Sequence, residues 1–300
     1  MADKIKRKWG DRKDGRLLNE SRGLQCIMPH LMNNRTDAEV FLSDRFDVTE
    51  LLKFMDEKNK EIEAAGGDYK ITMFHCIVAG VTKMIMERPM LNRFVQGRRI
   101  YERNNISLSF VAKRRFTDHA EEALMVLVPK EDDTINEIAK KIVGDVRETR
   151  KSEVANGGID GLMTTLSKLP MPILAFIVWV IKVLDFWGHN LDAITEGDPN
   201  YTTVLLSNLG SIKCPAVYHH LNNYGTNSIM ITIGTIHKEE LIMPDGSKQI
   251  RDVVDFGATL DERIGDGFYF ARSLKLIKHI FANPQLLDRP LNETSGFEYK

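Results

Sequence analysis

Apolar and polar positions run through this chain in two rhythms. Leu51, Leu52 and Met55 fall on one helical face behind Asp47-Val-Thr-Glu50, which has the spacing of a capping box, and Gly66-Gly67 closes that region. Met73, Phe74, Ile77, Val78, Val81, Met84 and Ile85 then recur at helical spacing until Pro89 stops them. Thr134, with Glu137 three residues on, predicts the start of a third helix whose stripe is Ile135, Ile138, Ile142 and Val146. A last helix is predicted from about Phe268 to Ala282, with Phe270, Leu274, Ile277 and Phe281 inward and Asn283-Pro284 as its stop. Between the helices, short β-branched or apolar runs at 107–112, 124–128, 202–206 and 229–236 predict strands, and 253–260 is a weaker candidate.

Interleaved strands and helices, with no internal repeat and no low-complexity linker, predict a single domain of the α/β class, a sandwich of sheet and helices. One segment breaks the rhythm. From Met171 the chain is apolar for eleven residues and stays largely so to Trp187, too short for the ~20 residues that a bilayer span requires. A buried core or interface helix is expected there; the other reading is an apolar flap that meets a lipid or a hydrophobic acceptor.

Composition adds limits. Apolar residues are 43% and charged residues 28% of 300, as in ordinary globular proteins, and a formal charge of −1 gives no global argument for a nucleic-acid partner or for an anionic membrane. Residues 1–20 are expected to be a basic, solvated arm (Lys4, Lys6, Arg7, Lys8, Arg12, Lys13, Arg16), with the domain proper at 21–300. No apolar stretch follows Met1, so no signal peptide is expected. Cys26, Cys76 and Cys214 are odd in number and scattered, which fits a reducing cytoplasm, excludes a zinc motif, and leaves small core residue as the expected role of each.

Two short motifs carry chemistry. Asp261-Glu262-Arg263-Ile264-Gly265-Asp266-Gly267 opens the last helix, and Ser207-Asn208-Leu209-Gly210 follows an apolar strand 55 residues before Glu262. The first resembles the D-H-R-x-x-D-G signature of the dihydrolipoyl acyltransferases, and Asp-Gly-Phe followed by Ala271-Arg272 resembles the ending of chloramphenicol acetyltransferase. The second resembles the S-N-L-G turn of the same families. Weaker likenesses agree in order: Pro29-His30 before Phe46-Asp-Val-Thr49 as an early strand and helix, Pro89-x-x-Asn92, and Ile100 to Ile106-Ser-Leu. The resemblance spans roughly residues 28–290.

This resemblance implies the trimeric, CoA-dependent acyltransferase fold, with the active site between subunits and the C-terminal motif of one chain facing the serine turn of the next. It implies acyl-CoA as co-substrate, a small-molecule acceptor, no metal, and a homotrimer or a multiple of it. By the same likeness Ser207 is the oxyanion donor, worth ~3–4 kcal/mol in comparable sites. Asn208 and Gly210 shape its turn, and Asp266 and Gly267 hold the catalytic loop, the aspartate pairing with an early arginine such as Arg22 or Arg35. For Asp266 a plain helix N-cap is the other reading.

The pattern breaks at one place. The family's base is a histidine before the motif arginine, and here that residue is Glu262. A histidine at ~6.5 takes a proton from a thiol at ~8.5 for about 3 kcal/mol, whereas an ordinary carboxylate at ~4.3 doubles that cost. A carboxylate serves only where burial raises its pKa, and only if Arg263 points away from it. Otherwise the base is elsewhere, and Tyr218-His219-His220, with His219 twelve residues past Ser207, is the candidate. An insert at about 157–200 and the absence of room for lipoyl and subunit-binding modules make a stand-alone acyltransferase the expected form. Three readings stand: a CoA-dependent acyltransferase, a trimeric scaffold or binding protein that lost its base, and an enzyme that meets lipid through the stretch from Met171 to Trp187.

Overall fold

The computed structural model describes residues 7–18, 23–113, 122–151, 168–189, 195 and 197–299 of the chain. Arg22, residues 1–6 of the arm and residues 157–167 of the expected insert lie outside the described residues. Ten strands are described: β1 (Gly15–Leu17), β2 (Glu39–Asp47), β3 (Arg93–Gln96), β4 (Arg99–Arg103), β5 (Leu108–Lys113), β6 (Glu122–Leu127), β7 (Val204–Asn208), β8 (Ile229–Ile233), β9 (His237–Ile242) and β10 (Lys248–Asp261). The helices are α1 (Leu24–Leu31), α2 (Thr49–Ala64), α3 (Met73–Glu87), α4 (Ile135–Lys151), α5 (Met171–Phe186) and α6 (Gly267–Ala282).

Seven strands form one sheet in the order β2-β10-β8-β7-β5-β6, with β9 alongside the first half of β10. The β5–β7 and β7–β8 pairs are parallel and the rest antiparallel. The weakest predicted strand, β10, is the longest: its second half pairs on both sides, with β2 and β8. Helices α2, α3, α4 and α6 pack with the sheet around the core, and α3 is its centre, buried from His75 to Ile85. The predicted stripes of α4 and α6 are inward: Ile135, Ile138, Ile142, Phe270, Ile277 and Phe281 are all buried.

Caps follow chemistry within a few residues. The Thr134 N–H donates to Glu137 Oε2 at 3.0 Å, and the Asp266 carboxylate accepts the Tyr269 N–H at 2.7 Å. The box expected at Asp47–Glu50 is only half made. Asp47 accepts from the Thr49 N–H at 3.0 Å, but Glu50 turns outward to Lys53 and Arg251.

Phe46 and Thr49 do fall in the expected early strand and helix, β2 and α2, and Pro29-His30 precede them inside α1. Several expectations are corrected. The arm is not solvated throughout, because β1 pairs with β4 in a second sheet, β1-β4-β3, and Arg12 is buried. Only Cys76 is a core cysteine, its thiol pushed up to about 12 by burial; Cys26 is exposed and Cys214 half-buried. Finally, α5 is a helix as predicted but not a core helix, the first of the two alternatives: within one chain Phe176 is 62% exposed, Trp179 59%, and Asp185 is its one buried residue. Among the described residues no helix is long and apolar enough to cross a membrane.

Candidate functional site

The end of β10 sets the C-terminal motif. Asp261 has no exposed surface, and its carboxylate accepts from Arg263 Nε at 2.7 Å and Nη2 at 2.6 Å, while Arg263 Nη1 donates to the Met32 carbonyl at 2.8 Å. Arg263 is thereby turned away from Glu262 and locked. A second guanidinium approaches from the other side: Arg35 Nε stands 3.8 Å from Asp261 Oδ2, and Arg35 also donates to the carbonyls of Asn222 and Val95. Burial, with the like charge of Arg263 beside it, holds the Arg35 pKa down at about 10 against the opposing pull of Asp261.

The early arginine therefore pairs with Asp261 and not with Asp266, which is exposed and caps α6. Both functions foreseen for one aspartate are divided between two. Glu262 follows on a short 3-10 turn, half-buried, in an open cleft lined also by Leu24, Met28, Val40, Met90 and Phe270. It makes no hydrogen bond or ion pair among the described residues.

Ser207 occupies the other end of the sheet. It is half-buried near the end of β7, in register with Thr232 of β8, and its hydroxyl has no hydrogen-bond partner among the described residues. Its turn is tight. The Asn208 carbonyl accepts from Ser211 Oγ at 2.7 Å, and a Cβ on Gly210 would overlap the Gly234 carbonyl, so only glycine fits there.

Strand register separates the motifs. Thr232 stands opposite Gly257 on β10, four residues before Asp261. Within one chain Ser207 and the end of β10 are thus about 13 Å apart along the strands and about 10 Å across them. Glu262 lies beyond that end, so the two cannot contact one acyl carbon in the same chain.

The histidine pair lies on the Glu262 side. The segment from Cys214 to Leu221 crosses the sheet, with the Val217 N–H donating to Thr232 Oγ1 and the Leu221 N–H donating to Glu39 Oε1 at 2.6 Å. Glu39 faces Asp261 across the β2–β10 ladder, and its other oxygen is 3.0 Å from His220 Nδ1. His219 and His220 are both exposed, and His219 Nδ1 is 3.2 Å from the His220 carbonyl. Sequence reasoning missed Glu39 and Asp261 as the fixed points of this end. Asp261 stood in the C-terminal motif without a role, and Glu39 carried no motif; what fixes both is burial of charge, which depends on partners distant in the chain. Among the described residues no three His, Cys, Asp or Glu side chains gather as metal ligands would.

Comparison with known proteins bears on this arrangement. Residues 21–172, just over half of the chain, match the family described as 2-oxoacid dehydrogenases acyltransferase (catalytic domain). Over 236 residues the chain is 22% identical to the lipoamide acyltransferase component of the branched-chain alpha-keto acid dehydrogenase complex of Bacillus subtilis (strain 168), covering 78% of this chain but only 44% of that protein. The fold superposes on a probable dihydrolipoamide acetyltransferase from Listeria monocytogenes with TM-score 0.59 at 16% identity, covering 94% of this chain and 98% of the other. It superposes likewise on the cubic core of the pyruvate dehydrogenase multienzyme complex, with TM-score 0.60 at 14% identity over 91% and 94% of the two chains.

Proposed function

Because the chain belongs to the 2-oxoacid dehydrogenase acyltransferase family, in its catalytic-domain part, we propose that it moves an acyl group from acyl-CoA to a small-molecule acceptor, in a site formed between subunits. The observation that carries this reading is the separation just described. Ser207 and Glu262 are both without partners among the described residues, and they stand at opposite ends of one sheet. A homotrimer, closed by three-fold symmetry, brings the Glu262 end of one subunit against the Ser207 end of the next.

In such a site the acceptor's hydroxyl, amine or thiol attacks the thioester carbon and gives its proton to the Glu262 carboxylate. The Ser207 hydroxyl donates to the oxyanion that forms. When the C–S bond breaks, the departing CoA thiolate takes the proton back. Arg263 does not oppose this, since its guanidinium is spent on Asp261 and the Met32 carbonyl.

Thiol release from acetyl-CoA with a mixed acceptor pool tests the assignment. Glu262→Gln keeps shape and removes the proton acceptor, and should lower the rate by about 10²–10⁴-fold. Ser207→Ala should lower it by about 10²–10³-fold. Full activity in Glu262→Gln, with loss in His219→Ala or His220→Ala, would move the base to the histidine pair. Indifference to all of these changes would leave the non-catalytic scaffold as the better account. A monodisperse monomer by light scattering at micromolar concentration would remove the shared site.

A further inference from the structure

We propose that α5 docks on the surface of a phospholipid bilayer that carries anionic headgroups, its apolar turns entering one leaflet and the cations at its base meeting the headgroups. The first reason is the breadth of the exposed face. Met171, Ile173, Phe176, Val178, Trp179 and Val183 are all exposed, and at 100° per residue they spread over about 220° of the helix circumference. Leu174, Ile177, Ile181 and Leu184, on the opposite side, are half-buried. A groove on a protein partner takes a stripe of roughly 100° or somewhat more, whereas a helix apolar nearly all round requires an enclosing apolar medium. The apolar run from Met171 through Ile181 is about 16 Å long, half of a ~30 Å hydrocarbon core, so it enters without crossing.

The second reason is charge. The one carboxylate of α5, Asp185, is buried and neutralised: its oxygens accept from Arg12 Nη2 at 2.8 Å and Gln96 Nε2 at 2.7 Å. That clasp, with the Phe186 carbonyl against Gly97, fixes the foot of the helix to the β3–β4 hairpin. Lys182 and Phe186 then line an open cleft with Arg98 at the hairpin tip, Arg35 and Arg263, and among the described residues no carboxylate is in its wall. Arg35 and Arg263 face Asp261, but neither Lys182 nor Arg98 has a carboxylate within ion-pair distance among the described residues.

A face that is apolar at its tip and cationic at its foot complements anionic lipid in both respects. Packing of α5 against α5 of a second copy would instead bring like charges together. Trp179 and Trp187, 59% and 62% exposed, are the side chains suited to the headgroup level.

Flotation tests this with the full chain, on vesicles of phosphatidylcholine alone and of phosphatidylcholine mixed with phosphatidylserine. The protein should float with the mixed vesicles and less with neutral ones, and added salt should weaken the difference. Phe176→Glu with Trp179→Glu should cut the bound fraction by at least about tenfold, and Lys182→Glu with Arg98→Glu should abolish the preference for anionic vesicles. All four positions are exposed, and circular dichroism would verify that the variants fold. Failure to float on either vesicle, or flotation unchanged by the double glutamate variant of the tip, would overturn the proposal. A change of oligomer mass in that variant, without vesicle binding by the unaltered protein, would show that a second copy covers α5.

Discussion

Replacing Asp261 by asparagine takes one charge and almost no volume from a carboxylate with no exposed surface. The structure sets the size of the effect. Asp261 accepts two bonds from the Arg263 guanidinium and faces Arg35 at 3.8 Å, and these arginines are only 3% and 4% exposed. An amide turns its own N–H groups toward guanidinium donors and leaves two buried cations without a counter-ion. Breaking one partner of such a buried pair costs about 3–5 kcal/mol. For a domain of this size each kcal/mol moves the midpoint by about 2–4 °C, so Asp261→Asn should melt about 6–20 °C lower than wild type. Asp266→Asn supplies the matched control: the same chemical change five residues on, at an exposed N-cap where asparagine serves as well, with a shift within about 0.5 kcal/mol. Differential scanning fluorimetry at one protein concentration reads both. If the two variants melt within about 2 °C of each other, Asp261 does not balance the arginines and the account of this loop is wrong.

Gly210→Ala should lower the urea midpoint by an amount equivalent to about 1–3 kcal/mol, because its methyl meets the Gly234 carbonyl and must push the serine turn off the sheet; an unchanged midpoint would mean that the turn yields freely. His75 gives a pH dependence. Burial holds its pKa down at about 4 against 6.5 in the unfolded chain, and its Nδ1 accepts the Thr72 N–H, which requires the unprotonated ring. Between those values the unfolded state binds more protons, so stability is lost as pH falls through the window, by about 2 kcal/mol from 6.5 to 5. Urea unfolding at both pH values should show that loss reduced in His75→Gln, and an equal loss in both proteins would exclude His75 as its source.

Local chemistry made much of this protein legible. Helix ends at Thr134, Asp266 and Asn283-Pro284 depend on side chains a few residues away, so they are readable in the chain and recur in the structure. The core stripes of α4 and α6 follow from periodicity, and the Ser207 and Glu262 motifs carried the resemblance, while the family match itself covers residues 21–172, upstream of both. By residue pattern alone β2 was not legible, because it is a polar edge strand with Arg45 exposed and Asp44 half-buried on the opposite face, paired with Asp255 and Lys278 respectively. Its place is decided by the ladder with β10, more than 200 residues away.

What tertiary structure alone decided is which charges meet and which faces stay open. Arg35 pairs with Asp261 rather than Asp266 because chain reversal at the end of β10 buries one aspartate and leaves the other at a helix start. The antiparallel run of β10 against β8 places Glu262 and Ser207 at opposite ends of one sheet, although 55 residues of sequence give no direction. The composition of α5 predicts burial, but a hydrophobic helix is buried only if some surface is left to receive it. Here α2, α3, α4 and α6 already pack around the sheet, and α5 is held by Asp185 at its foot with its apolar turns outside.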